Sequence, residues 1–178
     1  MKNCIIKSVL AIGVILYIVL YPSGVMAADY VLPYPSYMPG SRLYHVSEWW
    51  DILGQYWNFG DIAGMKYERA MSDKYLIQAQ VLFEYGQYKF AIEALDNSDK
   101  HFSKALVHSI ELSYKKKDDG TQLSILKDQA QKHIEALDTL AEKTPDTVTW
   151  NDERTETENL PISMLFAKSK ILRNYANR

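Results

Sequence analysis

Apolar side chains recur at intervals of three and four residues through most of the chain between positions 60 and 143. This is the spacing of one face of an α-helix. Gly86 and Gly120 interrupt the pattern, and glycine is the residue that most easily adopts the backbone conformation of a sharp turn at a helix end. The spacing therefore predicts three long helices, over residues 60–86, 88–114 and 121–143. The first stripe comprises Tyr67, Met71, Tyr75, Gln78, Leu82 and Tyr85, and the second comprises Ala91, Leu95, Ser98, Phe102, Ala105, Ser109 and Leu112.

A fourth helix is predicted near the end of the chain, over residues 161–176. Pro161 suits the first position of a helix. The apolar face of this predicted helix is formed by Ile162, Leu165, Phe166, Ser169 and Leu172. Residues 145–160 are rich in acids and are predicted to be an acidic connector. No strand pattern of any length is evident. The sequence thus predicts an all-α fold, an antiparallel helical bundle of about four long helices in a single domain over residues 28–178, with its main part over residues 45–144.

Aromatic residues dominate the segment before the long helices. Prolines forbid a helix over residues 28–44, so we expect an extended Pro/Tyr-rich arm whose tyrosines lie on the body of the domain. Residues 41–58 are predicted to form a short aromatic helix packed between the arm and the bundle. The alternative is an exposed surface for a partner or a membrane interface. Its candidate residues are Tyr34, Tyr37, Trp49, Trp50 and Trp57.

The first 27 residues have the three-part layout of a secretory signal peptide. Lys2 and Lys7 precede an apolar run that ends before Pro22, and Ala27 provides a small residue at a cleavage site. The 14 residues at positions 8–21 would span roughly 21 Å as a helix, which is short of the roughly 30 Å of a bilayer core. Cleavage after Ala27 is therefore expected, rather than retention as a membrane anchor. The predicted destination is the periplasm or the extracellular space.

Removal of this peptide changes the charge and the cysteine content. The remaining 151 residues carry a net charge of −4 and no cysteine, because Cys4 leaves with the signal. Neither a disulfide nor a cysteine zinc site is then available. Nucleic-acid binding is not expected, because such proteins show a basic surplus. Membrane contact is expected only through the signal peptide before cleavage, or weakly through the aromatic helix.

The turn at Gly86 is similar to that of a tetratricopeptide hairpin, with Tyr88 and Ala91 following at the expected positions. One such hairpin is expected, without a repeat array. The arm Tyr30-Val31-Leu32-Pro33-Tyr34-Pro35, followed by Met38-Pro39 and Leu43-Tyr44, resembles a bacterial exported family, domain of unknown function 5667. The resemblance covers roughly residues 30–110. This chain departs at Ser36, where the family often has glycine, and at Arg42, where a proline is common. The resemblance implies an all-α exported protein and assigns no activity.

The sequence carries no recognisable catalytic motif. His101 and His108 would lie about 10.5 Å apart along one helix, too far for one tetrahedral ion. These two histidines, with His45 and His133, are therefore expected to be solvated or to lie near helix ends. The acids at positions 118–119 and 152–158 fall in polar connectors, and a calcium site over 146–158 lacks the EF-hand spacing. We predict no catalytic residue, no cofactor and no metal ligand.

These observations favour an exported, non-enzymatic helical protein of the cell envelope that binds another envelope protein or acts as a scaffold. The alternative is a helical bundle that binds a small ligand or an ion in a pocket lined by Tyr67, Tyr75 and Trp57. A hydrolase acting on envelope polymers is a third class, which no group of residues supports.

Overall fold

The computed structural model describes residues 30–33, 46, 49, 51, 53–54, 57–58, 60–116, 120–150 and 158–177. The predicted signal peptide lies outside these residues. The long helices are α1 (Asp61–Glu84), α2 (Tyr88–Tyr114), α3 (Thr121–Lys143) and α4 (Ile162–Asn174), and a 3-10 turn follows at Tyr175–Asn177. The predicted all-α helical bundle is confirmed, and each predicted long helix is present to within a few residues of its expected ends.

α1 and α2 form an antiparallel hairpin around Gly86, as the sequence predicts. Gly86 adopts a positive φ of 69°. Its amide donates to the carbonyl of Phe83 at 3.0 Å, and the amide of Gln87 donates to the carbonyl of Leu82 at 2.9 Å. These two bonds define a Schellman motif, which satisfies carbonyl groups that the end of α1 would otherwise leave unpaired. The turn therefore brings α2 directly back along α1.

A short β-hairpin precedes α4, so the prediction that the chain contains no strand was wrong. β1 (Thr147–Trp150) pairs antiparallel with β2 (Glu158–Pro161), placing Val148 opposite Leu160. These two side chains pack against the helices, whereas Thr147, Thr149 and Asn159 are exposed. The hairpin occupies both ends of the predicted acidic connector, and α4 begins one residue after Pro161. Among the side chains that the structure describes, the hairpin packs Val148 and Leu160 inward, and strands of four residues give too short a period-2 signal to stand out beside the acids.

Two apolar clusters form the core, one at each end of the helices. The first contains Leu76, Ala79, Leu82, Phe83, Ala91, Ala94, Leu95, Ala136, Leu137, Leu140, Ile162 and Phe166. The second contains Met65, Phe102, Ala105, Leu112, Leu126, Ala130 and Ala176. Buried polar residues occupy the intermediate positions on all four helices, and we call them the polar layer: Arg69, Ser72, Asp73, Ser98, Asp99, Gln129, His133, Ser169 and Arg173.

The predicted stripe on α2 is confirmed, because all seven of its residues are buried. The predicted stripe on α1 was partly wrong. Tyr85 is exposed, and Tyr67 and Tyr75 are only partly buried. The side chains that α1 buries instead recur at Met65, Arg69, Ser72, Leu76, Ala79 and Phe83. This stripe is hard to read from the sequence because an arginine and a serine stand where apolar residues are expected.

The first residues of the predicted arm lie on the bundle, as expected. Tyr30 donates a hydrogen bond to Asp73 of α1, and the Arg69 guanidinium lies 5.8 Å from the centre of the Tyr30 ring. Leu32 packs against the first apolar cluster, whereas Val31 is exposed. The arm is therefore attached to the core through alternate side chains. The rest of it, from residue 34 to residue 44, lies outside the described residues.

Candidate functional site

An exposed apolar stripe lies on the aromatic segment before α1. Val46, Trp49, Leu53 and Trp57 are helical and exposed, and the two tryptophan side chains are 73% and 69% accessible to solvent. Their spacing of three, four and four residues places all of them on one helix face. We call these four residues the aromatic stripe. Large apolar side chains clustered on a surface mark interaction sites more often than isolated ones do.

Another face of the same segment is attached to α1. The carboxylate of Asp51 forms an ion pair with Lys74, and the backbone carbonyl of Asp51 accepts a hydrogen bond of 2.6 Å from the Tyr67 hydroxyl. Gly54 lies so close to α1 that a Cβ there would be 3.2 Å from the Tyr67 ring. Burial, followed by the charges of Asp51 and Glu68, raises the pKa of Tyr67 to about 12, so its hydroxyl remains a donor at neutral pH.

The aromatic helix was expected to be packed between the arm and the bundle, and this is wrong for the side chains of Trp49 and Trp57, which are exposed. The contacts with α1 are made by a carboxylate and a glycine, which leaves the apolar stripe facing water. Tyr34, Tyr37 and Trp50 lie outside the described residues. Of the five candidate interaction residues, the structure thus brings two onto one exposed face.

The polar layer is the main concentration of charge inside the bundle. Within it, the Asp73 carboxylate accepts from Gln129 at 2.5 Å and from His133 at 2.6 Å through one oxygen, and from the Tyr30 hydroxyl through the other. Gln129 also joins α3 to α1 in both directions. Its Nε2 donates to the Arg69 carbonyl, and its Oε1 accepts from Arg69 Nε, each at 2.9 Å. Buried carboxylates need such donors to offset the loss of hydration.

Arg173 of α4 binds the other carboxylate of the layer. Its Nη1 donates to Asp99, whose second oxygen accepts from the Ser169 hydroxyl at 2.7 Å. Its Nη2 donates to the Ser98 hydroxyl at 2.9 Å, and the guanidinium carbon lies 5.2 Å from the centre of the Phe102 ring. Burial lowers the pKa of Arg173 and Asp99 raises it. The guanidinium is thus paired on one edge and covered by an aromatic ring.

The two halves of the layer meet at His133. Arg173 Nε donates to His133 Nδ1 at 3.3 Å, so this ring nitrogen is an acceptor. His133 Nε2 must then carry the proton that it donates to Asp73. Burial lowers the pKa of His133, with Arg173 adding to the effect and Asp73 and Asp99 opposing it. The ring is therefore a neutral connector between a cation and an anion.

A second histidine contact lies beside the layer. His101 Nδ1 is 2.6 Å from Glu68 Oε2, and the His101 ring stacks on Tyr75 at 5.4 Å and meets the edge of Tyr67 at 6.4 Å. The prediction that the histidines are solvated is therefore wrong for His133 and His101. His45 lies outside the described residues, and His108 is partly buried beside Gly64. Tyr67 and Tyr75 meet at His101, whereas the Trp57 side chain is exposed.

These arrangements favour structural rather than chemical roles for the buried charges. Asp73, Asp99, Arg173 and His133 each have partners that occupy their reactive atoms. In the part of the chain that the structure describes, no three His, Cys, Asp or Glu side chains are grouped so that they could hold a metal ion.

The sequence analysis missed the polar layer, although a signal for it exists. Arg173 continues the stripe Ile162, Phe166 and Ser169 at the next helical interval, and His133 lies between Ala130 and Leu137 in the same way. A polar or charged residue in phase with an apolar stripe indicates a buried partner elsewhere in the sequence. The pairings between helices join residues 26 to 75 positions apart, and spacing within one helix does not reveal them.

The fold and these contacts define a class of protein: an all-α bundle with a charged layer through its core and an aromatic segment attached to its first long helix. The family domain of unknown function (DUF5667) matches residues 36–147, which is more than half of the chain. The chain belongs to this family. The match extends through α3 and begins after the Tyr30–Pro35 stretch, so it differs at both ends from the expected range of 30–110.

No curated protein and no solved structure matches the chain significantly. Across the described residues, none of the helices combines the length and the apolar character needed to cross a bilayer.

Proposed function

We propose that this protein is an exported, non-enzymatic interaction module of the cell envelope that binds a partner protein through the aromatic stripe. The observation that carries the proposal is the alignment of Val46, Trp49, Leu53 and Trp57 on one exposed face. Apolar side chains that stay exposed forgo the stabilising free energy of burial, which is roughly 25 cal/mol for each Å² of apolar surface removed from water. A partner that covers the stripe recovers that free energy.

The way the segment is held supports recognition of a protein. Tryptophan is enriched among the residues that dominate binding energies, because it combines a large apolar area with few rotatable bonds. The ion pair of Asp51 with Lys74 and the close approach of Gly54 to Tyr67 fix the helix before a partner arrives. A pre-ordered surface loses less conformational entropy on binding.

The location in the envelope is supported by the sequence of residues 1–27, which has the layout of a signal peptide. N-terminal sequencing of the protein recovered from the producing cell tests this part of the proposal. A chain that begins at Ala28 supports export with cleavage. A chain that retains Lys2 and Lys7 contradicts it.

The interaction is tested with the mature chain, residues 28–178, as bait for envelope proteins, followed by calorimetry with the purified partner. The variant Trp49→Ser/Trp57→Ser should weaken the partner's Kd by about 30-fold or more, since one interface hot spot contributes at least about 2 kcal/mol. Tyr85→Ser is the matched control, because Tyr85 is also an exposed aromatic residue at a helix end.

Equal binding by the two variants and the wild type would contradict the role of the stripe. Co-sedimentation with phospholipid vesicles provides the other decisive outcome. If the stripe variant loses vesicle binding while partner binding is unchanged, the stripe contacts a membrane and the proposal fails.

The alternative function, binding of a small ligand or an ion, remains a proposal. Its predicted pocket is not favoured, because the rings of Tyr67 and Tyr75 are already in contact with His101. A different groove has features that favour a ligand.

A further inference from the structure

A groove of about 510 Å³ lies between α2, α3 and the C-terminal 3-10 turn. Its main lining residues are Leu106, Ile110, Leu123, Lys127, Tyr175 and Ala176. This volume falls in the range of roughly 300–1,000 Å³ that is typical of small-molecule sites. The groove is formed by α2, α3 and the last turn, whereas the aromatic stripe belongs to the segment before α1.

The walls of the groove are mainly apolar, and the hydroxyl groups of its two serines already donate hydrogen bonds. Ile110 is exposed, whereas Ala176 is buried at the edge of the second apolar cluster. The remaining lining residues, Ser109 and Ser113, donate to carbonyls of α2 at 2.7 Å and 2.9 Å. A ligand here would therefore gain mainly by burying hydrocarbon.

Lys127 gives the groove a charge. It is partly buried, and among the described residues no carboxylate lies within ion-pair distance of it. The positions three and four residues away on α3 are Leu123, Ser124, Ala130 and Gln131, so the helix itself offers no acid at pairing distance. The described lining residues include no acid. A lysine in such surroundings is complementary to a single negative charge.

We propose that this groove binds a single-chain amphiphile with a carboxylate head, a free fatty acid being the simplest example. The acyl chain would lie along Leu106, Ile110 and Leu123, and the carboxylate would meet the Lys127 ammonium group. A peptide fits less well, because the backbone groups of α2 and α3 are bonded within their helices and the serine hydroxyls donate to α2. Extended peptides are recognised largely through free backbone partners.

Calorimetry of the mature chain with sodium octanoate, decanoate and dodecanoate, below their micelle concentrations, tests the hydrocarbon part. Each added methylene should lower Kd by roughly 3- to 4-fold, which corresponds to the transfer free energy of one buried methylene. Dodecyltrimethylammonium has the same chain with the opposite charge and should bind at least about 10-fold more weakly than dodecanoate.

Two substitutions test the residues. Lys127→Gln should weaken dodecanoate binding by at least about 10-fold, the value of one hydrogen bond to a charged group, and should leave the chain-length dependence unchanged. Lys143→Gln is the matched control, since it removes the same charge from an exposed position on α3. Ile110→Glu should abolish binding, and circular dichroism of each variant verifies that the helices are intact.

Three results would each overturn the proposal. The first is the same Kd for octanoate and dodecanoate, and the second is equal binding of the anionic and cationic amphiphiles. The third is equal weakening by Lys127→Gln and Lys143→Gln. Loss of the envelope partner in the tryptophan variant bears on the aromatic stripe alone, so the two proposals succeed or fail separately.

Discussion

Arg69 and Arg173 are balanced by Asp73 and Asp99 in the polar layer, so the buried charges of these four residues sum to zero. The balance matters because an unpaired charge in a protein interior costs several kcal/mol. Serine, glutamine and histidine side chains supply the other hydrogen bonds, and Asp73 alone accepts three. Each polar or charged side chain of this layer is therefore stable in the core only when its hydrogen-bonding partners are also present.

The two hydrogen bonds of the His133 ring fix which of its nitrogens carries the proton. Its Nδ1 accepts from Arg173 and its Nε2 donates to Asp73, so protonation of Nδ1 would place a cation against the guanidinium and break one hydrogen bond. The lowered pKa of His133 agrees with this geometry. The neutral ring thus belongs to the folded state, whereas the unfolded chain binds a proton near the ordinary pKa of 6.5.

We predict that His133 makes the protein less stable as the pH falls below 6.5. Above that pH, the ring is neutral in both states and the contribution of His133 is fully present. Below it, the unfolded state binds more protons than the folded state, so the free energy of unfolding falls by up to about 1.4 kcal/mol per pH unit until the folded pKa is reached. Urea unfolding between about pH 7.5 and pH 5.5 measures this slope.

His133→Gln is the control, because a glutamine amide can donate and accept but does not titrate. This variant should have a shallower slope in the same pH range, since the other histidines contribute equally to both proteins. Nuclear magnetic resonance of the ring protons gives a direct reading. Identical slopes in the two proteins, or a His133 resonance that titrates at or above pH 6.5, would contradict the prediction.

Among the structural elements, the N-terminal arm reaches the core with its first described residues. Tyr30 lies three positions after the predicted cleavage site, and its hydroxyl supplies the donor for the second oxygen of Asp73. Burial, with Asp73 adding to the effect, raises the pKa of Tyr30, so the hydroxyl stays protonated. The beginning of the predicted mature chain is therefore part of the hydrogen-bond network that joins α1 to α3.

We predict that Tyr30→Phe lowers the free energy of unfolding by about 1.5–3 kcal/mol, the usual cost of losing a hydrogen bond to a charged group. The ring and its contact with Arg69 are retained, so the change isolates the hydroxyl. Tyr85→Phe removes the same atom from an exposed ring and should alter stability by less than about 0.5 kcal/mol. Urea unfolding of both variants measures the difference, and equal effects would show that the arm is not held through this hydroxyl.

The helices could be predicted from the sequence because their signals are local. Regular three- and four-residue spacing continues for more than twenty residues in each of α1, α2 and α3, and glycines mark the turns. The β-hairpin escaped prediction because its apolar signal is weak. Val148 and Leu160 are the inward side chains that the structure describes, and an acidic stretch separates the strands. A long helix repeats its apolar spacing many times, so it is far easier to predict than a strand of four residues.

The candidate site was only partly predictable. The sequence singled out Trp49 and Trp57, but the direction in which they face depends on Asp51 and Gly54 meeting Tyr67 and Lys74 of α1. These are long-range contacts with a polar and a small side chain, for which hydrophobic spacing contains no information. The three- and four-residue spacing of the stripe shows that its residues share one helix face. The contacts with α1 determine whether that face points into the bundle or into the solvent.

In the molecule as a whole, the polar layer divides the core into two apolar clusters. Apolar side chains pack acceptably in more than one relative position of neighbouring helices, whereas a buried ion pair is satisfied in one position only. Arg173 of α4 can reach Asp99 of α2 and His133 of α3 together only when all three helices are in register. The layer is therefore suited to fixing the register of the bundle, at a cost in desolvation.

This argument predicts strong energetic coupling between Arg173 and Asp99. Arg173→Met or Asp99→Leu alone should cost about 3–5 kcal/mol, because each leaves a buried charge unpaired. The double variant should be less destabilised than the sum by about 2–3 kcal/mol, near the upper end of couplings between contacting residues.

The exposed pair Lys170 and Asp138 provides a matched cycle with Lys170→Met and Asp138→Leu, and its coupling should stay below about 1 kcal/mol. Urea unfolding yields both cycles. If register is the purpose of the layer, the Arg173→Met/Asp99→Leu protein should also show poorer dispersion of its amide resonances than the Lys170→Met/Asp138→Leu protein at equal helix content. Equal coupling in the two cycles would contradict the assignment of Arg173 and Asp99 as a buried, mutually dependent pair, and equal dispersion would contradict the register argument.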